Sequence, residues 1–245
     1  MSPQYNYTVA PHLQAYAVPF AEFRTANPQY THYVGGGLIF SRSAMPKASP
    51  SNTTKEAEGQ QGTLRLLLLQ RSYEDSYGGQ WEGPGGSCDP EDANLLDGVA
   101  REVLEESGLH VSRFVELAGK EEWVRERLGQ IISAAKFTFI VEAHEAASPV
   151  TGSGAGSGDG EGNGLPAPAD GGDGNVPGLE RRWEDMVKLD PAEHRDFEWV
   201  TEEEVREAEN AKNGEGIFKS FANQGRTMLE AFRIMREDHG GESDS

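Results

Sequence analysis

Residues 94–108 read NLLDGVAREVLEESG, a segment that fits little else but a helix packed along one side. Leu95, Leu96, Val99, Ala100, Val103 and Leu104 recur at three- and four-residue intervals and form one broad apolar stripe. Asn94 stands where an N-cap belongs, with Asp97 at the third helical position, and Gly108 stands where the chain leaves the helix. The remaining face carries Glu102, Glu105 and Glu106. Their spacing sets three carboxylates side by side, an arrangement that costs about 0.2–0.5 kcal/mol per like-charged pair in an isolated helix. A divalent cation reverses that sign, because hard cations take oxygen ligands and Mg²⁺ binds through a few carboxylates plus substrate phosphates. On spacing alone, the same residues also describe an ordinary solvated acidic face.

The surroundings of the helix sharpen the reading. A Pro-Gly-Gly turn, Pro84, Gly85 and Gly86, precedes it. Such a turn lets backbone approach a phosphate closely, since no β-carbon intervenes. Upstream, Tyr33 to Phe40 (YVGGGLIF) and Thr63 to Gln70 (TLRLLLLQ) read as strands that pair across an intervening loop. Downstream, Lys120 to Leu128 reads as a short helix or an elaborated turn, and Ile131 to Ala143 as a strand. Phe197 to Val200 reads as a returning strand. A helix follows from Thr201, with Glu204 completing a capping box, and Ile217 to Met235 forms a last amphipathic helix.

Two stretches have a composition that cannot bury a core. Residues 41–62 are rich in Ser, Pro and Lys. Residues 146–180 include a run, Thr151 to Gly178, in which glycine supplies 11 of 28 residues, so nothing offsets the entropy of ordering it. Both are expected to be insertions within one domain spanning 32–237, preceded by an extension over 1–31 without clear period and followed by a frayed tail, 238–245.

Charge and cysteine usage exclude several classes. With 41 Asp and Glu against 22 Lys and Arg, the formal net charge is −19. A broad grip on long DNA or RNA needs a basic stripe, and none is present. Cys88 is the sole cysteine, so no intrachain disulfide framework exists, and with no His or Cys partner at a metal spacing it reads as a structural thiol. The apolar run Leu66 to Leu69 is far shorter than the ~20 residues that span a bilayer. The expectation is a soluble, cytoplasmic protein with no membrane or long nucleic-acid partner; a homodimer is left open.

The stretch from Trp81 to Leu109 resembles the Nudix box, whose pattern is G-x5-E-x7-R-E-U-x-E-E-x-G-U with U aliphatic. Arg101 to Leu109 (REVLEESGL) matches the second half in full, Gly86 matches the leading glycine, and WEGPGG resembles the usual approach. One position departs: Asp92 stands where the pattern has Glu, and eight residues rather than seven separate it from Arg101. YVGGGLIF resembles the family's first core strand and DFEWVTEEEV its late strand and acidic helix start.

The resemblance implies an α/β fold, an α/β/α sandwich around a mixed β-sheet. It implies a metal-dependent hydrolase that cleaves a diphosphate bond in a small nucleoside diphosphate-linked substrate. Glu102, Glu105 and Glu106 would hold Mg²⁺ (or Mn²⁺), Glu105 and Glu106 would also take part in catalysis, and Arg101 would orient the glutamates. Gly85 and Gly86 would meet the substrate. Glu193, just before the late strand, is the candidate general base, with Glu91 and Asp92 as outer acids. His194 can touch substrate, and Trp81, Trp123 and Trp183 can stack on a base, although packing is the commoner duty of such residues. Loops outside the box set the substrate, so ADP-ribose, other nucleotide sugars, dinucleotides and oxidised nucleotides all fit. Two other functions of the same fold remain: RNA cap hydrolysis, which the acidic balance disfavours, and a non-catalytic nucleotide-binding module, which the three intact glutamates disfavour.

Overall fold

A computed structural model describes residues 5–43, 62–74, 77–127, 129–147, 182–211 and 224–237. Most of both expected insertions, the start of the expected last helix (217–223) and the tail from 238 lie outside these residues. Eight strands form one mixed sheet. They are β1 (Thr8–Val9), β2 (His32–Ser43), β3 (Thr63–Arg71), β4 (Trp81–Glu82), β5 (Gly85–Ser87), β6 (Val111–Arg127), β7 (Gln130–Ala143) and β8 (His194–Thr201). The helices are α1 (Phe20–Ala26), α2 (Leu95–Ser107), α3 (His144–Ala147), α4 (Glu202–Asn210) and α5 (Gln224–Glu237). Strand β2 continues through Ser43, so residues 41–43 of the first expected insertion are strand.

Strand β2 joins the two parts of the sheet. Residues 32–39 run parallel to β7, Gly35 and Gly36 pair antiparallel with Gly86 and Gly85 of β5, and residues 40–43 pair antiparallel with β3. Strand β3 then pairs with β4 and β8.

The central strands are buried on both faces, which is why TLRLLLLQ is a continuous apolar run and not an alternating one. Leu67 and Leu69 enter one core, with Ile39, Phe139 and the stripe of α2. Leu66 and Leu68 enter the other, with Leu38, Ile140, Val205 of α4 and Met228 and Phe232 of α5. Successive side chains on a strand point to opposite faces, so two cores on two faces make the α/β/α layering a direct reading of this alternation. Helix α2 can lie close to β2 because of Gly35 and Gly37. A β-carbon at Gly35 would meet Val99 Cγ2 at 2.5 Å, and one at Gly37 would meet Val103 Cγ2 at 2.6 Å.

Two expectations are corrected. Lys120 to Leu128 is neither a short helix nor a turn: its described residues continue β6 and pair with β7 from Lys120↔Phe137 to Arg127↔Gln130. The Lys, Glu and Arg of this stretch carry helical propensity, but that preference is a few tenths of a kcal/mol per residue, and a ladder with a long apolar neighbour overrides it. Residues 8–30, which show no clear period in the sequence, form β1, a 3₁₀ turn (Pro11–Tyr16) and α1. Leu13, Phe20, Phe23 and Tyr30 are buried against Tyr33, Phe137 and Phe139; ring centroids of Phe20 and Tyr33 lie 5.6 Å apart, and those of Phe23 and Phe137 5.5 Å.

Candidate active site

Helix α2 forms as its sequence requires. The Asn94 side chain accepts from the Asp97 N–H at 2.9 Å, and Gly108 closes the helix in the left-handed conformation at φ 69°. The N-terminal segment reinforces this start: Tyr7 donates its hydroxyl to Asp97 Oδ1 at 2.5 Å. Leu95, Leu96, Val99 and Val103 are wholly buried, which fixes the rotation of the helix and turns residues 101, 102, 105 and 106 toward the β4–β5 turn.

Arg101 is the hub. Its Nη1 donates to Glu102 Oε1 at 2.9 Å and to Glu105 Oε2 at 3.0 Å. Its Nε and Nη2 reach Asp92 Oδ1 and Oδ2, both at 3.2 Å, and Nη2 also donates to the Ser87 carbonyl at 2.9 Å. Asp92, the residue that departs from the family pattern, therefore holds the side of the guanidinium that the glutamates leave free. The same carboxylate accepts from the Asp89 N–H at 2.8 Å, which ties down the loop before the helix.

Glu106 is turned away from this hub. It is 4% exposed, and its Oε2 accepts from the Gly85 N–H at 2.7 Å. Burial pushes its carboxyl up to about 9; the Gly85 N–H opposes this, and the charges of Glu82, Glu102 and Glu193 add to it. Burial likewise pushes Glu102 up to about 7, against the pull of Arg101 and with the push of Glu105 and Glu193. Gly86 makes room for Glu102: a β-carbon there would lie 2.6 Å from Glu102 Oε2. Gly85 packs its Cα onto β2, where a β-carbon would meet the Gly35 carbonyl oxygen at 2.4 Å.

The predicted residues thus divide into two groups. Glu102 and Glu105 gather on Arg101, with Glu105 more than half exposed. Glu106 instead meets Glu193 and His194. Among the described residues, these three are the group of His, Cys, Asp or Glu whose ligand atoms all lie within 4.8 Å of one another. Glu193 is exposed and His194 buried. The entry to β8 holds them in place: the Ser72 N–H donates to the Glu193 carbonyl at 2.8 Å, and the His194 N–H to the Asp190 carbonyl at 2.8 Å. Cys88 is half-buried, and desolvation raises its thiol above the ordinary value, with Asp92 and Glu102 adding to the shift. Trp183 is half-buried and meets Trp199 edge to face with centroids 5.2 Å apart, Trp81 is buried in the core, and Trp123 lies partly exposed on the long β6–β7 ladder.

One residue of the site escapes sequence reasoning. Lys136 of β7 is 7% exposed and lines a cleft with Gly36, Pro84, Thr138, Gln224 and Thr227. The alternation Lys136, Phe137, Thr138, Phe139 carries the signal: the aromatics face α2, so the lysine faces the other layer. This places a buried cation next to the turn that delivers Gly85 to Glu106.

A divalent cation suits this donor set. Carboxylates crowd together in a partly buried place where like charges are costly, and His194 contributes a buried imidazole with no hydrogen-bond partner on either nitrogen. No helix among the described residues is long and apolar enough to cross a membrane.

Residues 56–154 match the family model of the NUDIX domain. No curated protein matches the chain. Among solved structures, the fold is similar to a MutT protein from Methanosarcina mazei Go1, at 20% identity over 84% of this chain and 95% of that one, with a TM-score of 0.42. It is also similar to a C. elegans Ap4A hydrolase, at 16% identity over 84% and 99%, with a TM-score of 0.42. A third is the NUDIX domain of Shewanella oneidensis NrtR complexed with ADP ribose, at 13% identity over 83% and 87%, with a TM-score of 0.45. The matched stretch encloses the glycine turn, Arg101 and all three helical glutamates, so residues 56–154 of this chain are similar to a NUDIX domain.

Proposed function

We propose that the protein hydrolyses a diphosphate bond in a small nucleoside diphosphate-linked substrate, with Mg²⁺ or Mn²⁺ held by Glu102, Glu105 and Glu106. The observation that carries this reading is the charge on the α2 face. Glu102 and Glu105 are bonded to Arg101, Glu106 lies beside Glu193 and His194, and among the described residues Arg101 is the one cation bonded to any of these three glutamates. The bound dication supplies charge neutralisation for the diphosphate and a more acidic attacking water.

The chain's own residues do the rest. Arg101 keeps Glu102 and Glu105 aligned, and its fork is suited to holding two carboxylates and Asp92 at once. Gly85 and Gly86 bring backbone to the edge of the site without side-chain bulk, as a phosphate group requires. Glu193, exposed and close to Glu106, is our candidate to take a proton from water through whichever of its two oxygens no cation engages. Lys136 gives an anionic substrate a fixed positive partner in a chain whose net charge is −19. A single buried lysine suits a small anion; a polynucleotide needs a stripe.

Metal-dependent phosphate release across ADP-ribose, nucleotide sugars, dinucleotides and oxidised nucleotides tests the reading. Wild type is expected to turn over at least one of them. Glu106→Gln is expected to lose at least ~100-fold, beyond the roughly 10–100-fold typical of outer-shell changes. Activity that survives in both Glu105→Gln and Glu106→Gln contradicts the assignment. Tight binding of a nucleotide without turnover favours the non-catalytic module instead.

A further inference from the structure

We propose that Glu106, Glu193 and His194 form a mixed carboxylate–imidazole cation site, in which a ring nitrogen of His194 binds the metal directly. The inference rests on the metal-dependent reading above and deepens it, since nitrogen ligation selects which metal the site prefers.

His194 is 1% exposed, and neither Nδ1 nor Nε2 has a hydrogen-bond partner. Burying one polar group without a partner costs about 1–3 kcal/mol, and native proteins rarely leave such groups unsatisfied. The nearest candidate partner, Glu82 Oε1, stands 3.7 Å from Nε2, beyond hydrogen-bond reach. That oxygen already accepts from Arg71 Nη1 at 2.5 Å. The imidazole thus makes no hydrogen bond and has only a long electrostatic contact with Glu82, which helps hold that carboxyl below its ordinary value.

Its position supplies the second half of the argument. Its ligand atom and those of Glu106 and Glu193 lie within 4.8 Å of one another. Two ligands of one ion, each at roughly 2.0–2.2 Å, stand at most ~4.4 Å apart. Ligands at right angles on one ion stand only about 3 Å apart, so the three groups need to close by up to roughly 1–2 Å to share it, most of which rotation of the exposed Glu193 can supply. The backbone need not move, because the pairing of Arg71 with His194 anchors this end of β8 on β3.

A nitrogen ligand changes the preference of the site. Mg²⁺ favours oxygen ligands in a strict octahedron, whereas imidazole favours transition dications, more strongly later in the first row. This chain is accordingly expected to take Mn²⁺ or a later dication over Mg²⁺ at Glu106.

The test is pulsed electron paramagnetic resonance on the full chain loaded with Mn²⁺. The expected spectrum contains the coupling of a directly bonded ¹⁴N, which changes to the ¹⁵N pattern in wild-type protein grown on ¹⁵N-histidine. Labelling needs no substitution, so it holds even where a variant fails to fold. In His194→Asn the nitrogen coupling is expected to vanish and Mn²⁺ affinity to fall at least ~10-fold, with a smaller change for Mg²⁺. Mn²⁺ that fails to bind, or that binds with oxygen ligands alone, overturns the inference. Oxygen-only Mn²⁺ with phosphate release intact leaves the hydrolase reading standing. Directly bonded nitrogen without any turnover does the reverse.

Discussion

Asp92 faces Arg101 side-on, with Oδ1 3.2 Å from Nε and Oδ2 3.2 Å from Nη2. The two side chains are only 7% and 16% exposed. The position at which the chain departs from the Nudix box pattern it resembles is thus where the central arginine is anchored, through a shorter acid on a loop one residue longer. Asp92→Asn keeps an acceptor for Asp89 and removes the charge. It is expected to destabilise the protein by about 1–3 kcal/mol and to lower kcat/KM, because Arg101 then loses the buried charge that pairs its Nε and Nη2 and keeps there only the Ser87 carbonyl and the more distant Asp89. Asp92→Glu is not expected to restore function, since Asp92 Oδ2 already lies 2.7 Å from where a β-carbon on Gly98 would stand. Urea unfolding and steady-state kinetics read both effects; an Asp92→Asn protein as stable and active as wild type contradicts them.

Glu105 and Glu106 are neighbours in sequence with opposite surroundings, and removing charge from each should separate stability from function. Glu106 is buried among like charges, and its Gly85 contact survives as a bond to an amide oxygen in Glu106→Gln. The metal-free variant is therefore expected to unfold at a higher urea concentration than metal-free wild type at pH 8. Added Mn²⁺ should stabilise wild type and not the variant. Glu105 is mostly exposed, and Glu105→Gln should leave the metal-free midpoint nearly unchanged, as surface ion pairs contribute little. A metal-free Glu106→Gln that is markedly less stable than wild type counts against a crowded carboxylate.

Two glycines make a complementary pair. At Gly86 the obstacle to a β-carbon is the end of a flexible side chain, the Glu102 carboxylate at 2.6 Å. At Gly37 it is Val103 Cγ2 at 2.6 Å, inside the core. Gly86→Ala is expected to fold with a midpoint close to wild type but to bind metal more weakly, because Glu102 must swing away. Gly37→Ala is expected to lose about 1–3 kcal/mol from overpacking. Calorimetric metal titration beside thermal unfolding separates the two; a Gly86→Ala protein with undiminished metal affinity contradicts the placement of Glu102.

Local rules carried much of this in the sequence. The α2 stripe, the Asn94 cap, the Thr201–Glu204 capping box and the run Leu66–Leu69 each follow from periodicity or a short-range hydrogen bond, and each stands as read. What failed was set by distant partners. Residues 120–127 take strand form from β7 and not from their own composition. In the N-terminal segment, Leu13, Tyr16, Phe20 and Phe23 do keep three- and four-residue spacings, but Pro19 interrupts them, and their value lies in the Tyr33, Phe137 and Phe139 surface they cover. The site divides in the same way. Helical spacing showed that Glu102, Glu105 and Glu106 share a face. That Arg101 takes two of them while Glu106 turns to His194, about ninety residues on, depends on how β8 docks on β3.

Glu184 offers a test of how the chain is fastened where it resumes after the glycine-rich stretch. It is 7% exposed. The Ser41 hydroxyl donates to its Oε1 at 2.5 Å, and Arg182 Nη2 donates to the same oxygen at 2.5 Å. The Trp199 indole N–H donates to its backbone carbonyl at 3.3 Å. Burial alone would raise the carboxyl, but the bonds from Arg182 and Ser41 outweigh it and hold the group below its ordinary value of 4.5. The unfolded chain then binds more protons than the folded one in the window between the folded value and 4.5, so stability rises with pH across it. The contribution is present above 4.5 and is lost as pH falls through the folded value. Arg182 is about half exposed, so solvent screens its share of this contribution. Glu184→Gln is expected to cost about 1–3 kcal/mol at pH 7, and its deficit should shrink as both proteins are acidified below 4.5. Parallel urea titrations between pH 7 and pH ~3 measure that gap; a deficit that stays constant over the whole range would mean that the Glu184 charge does not hold this turn to β2.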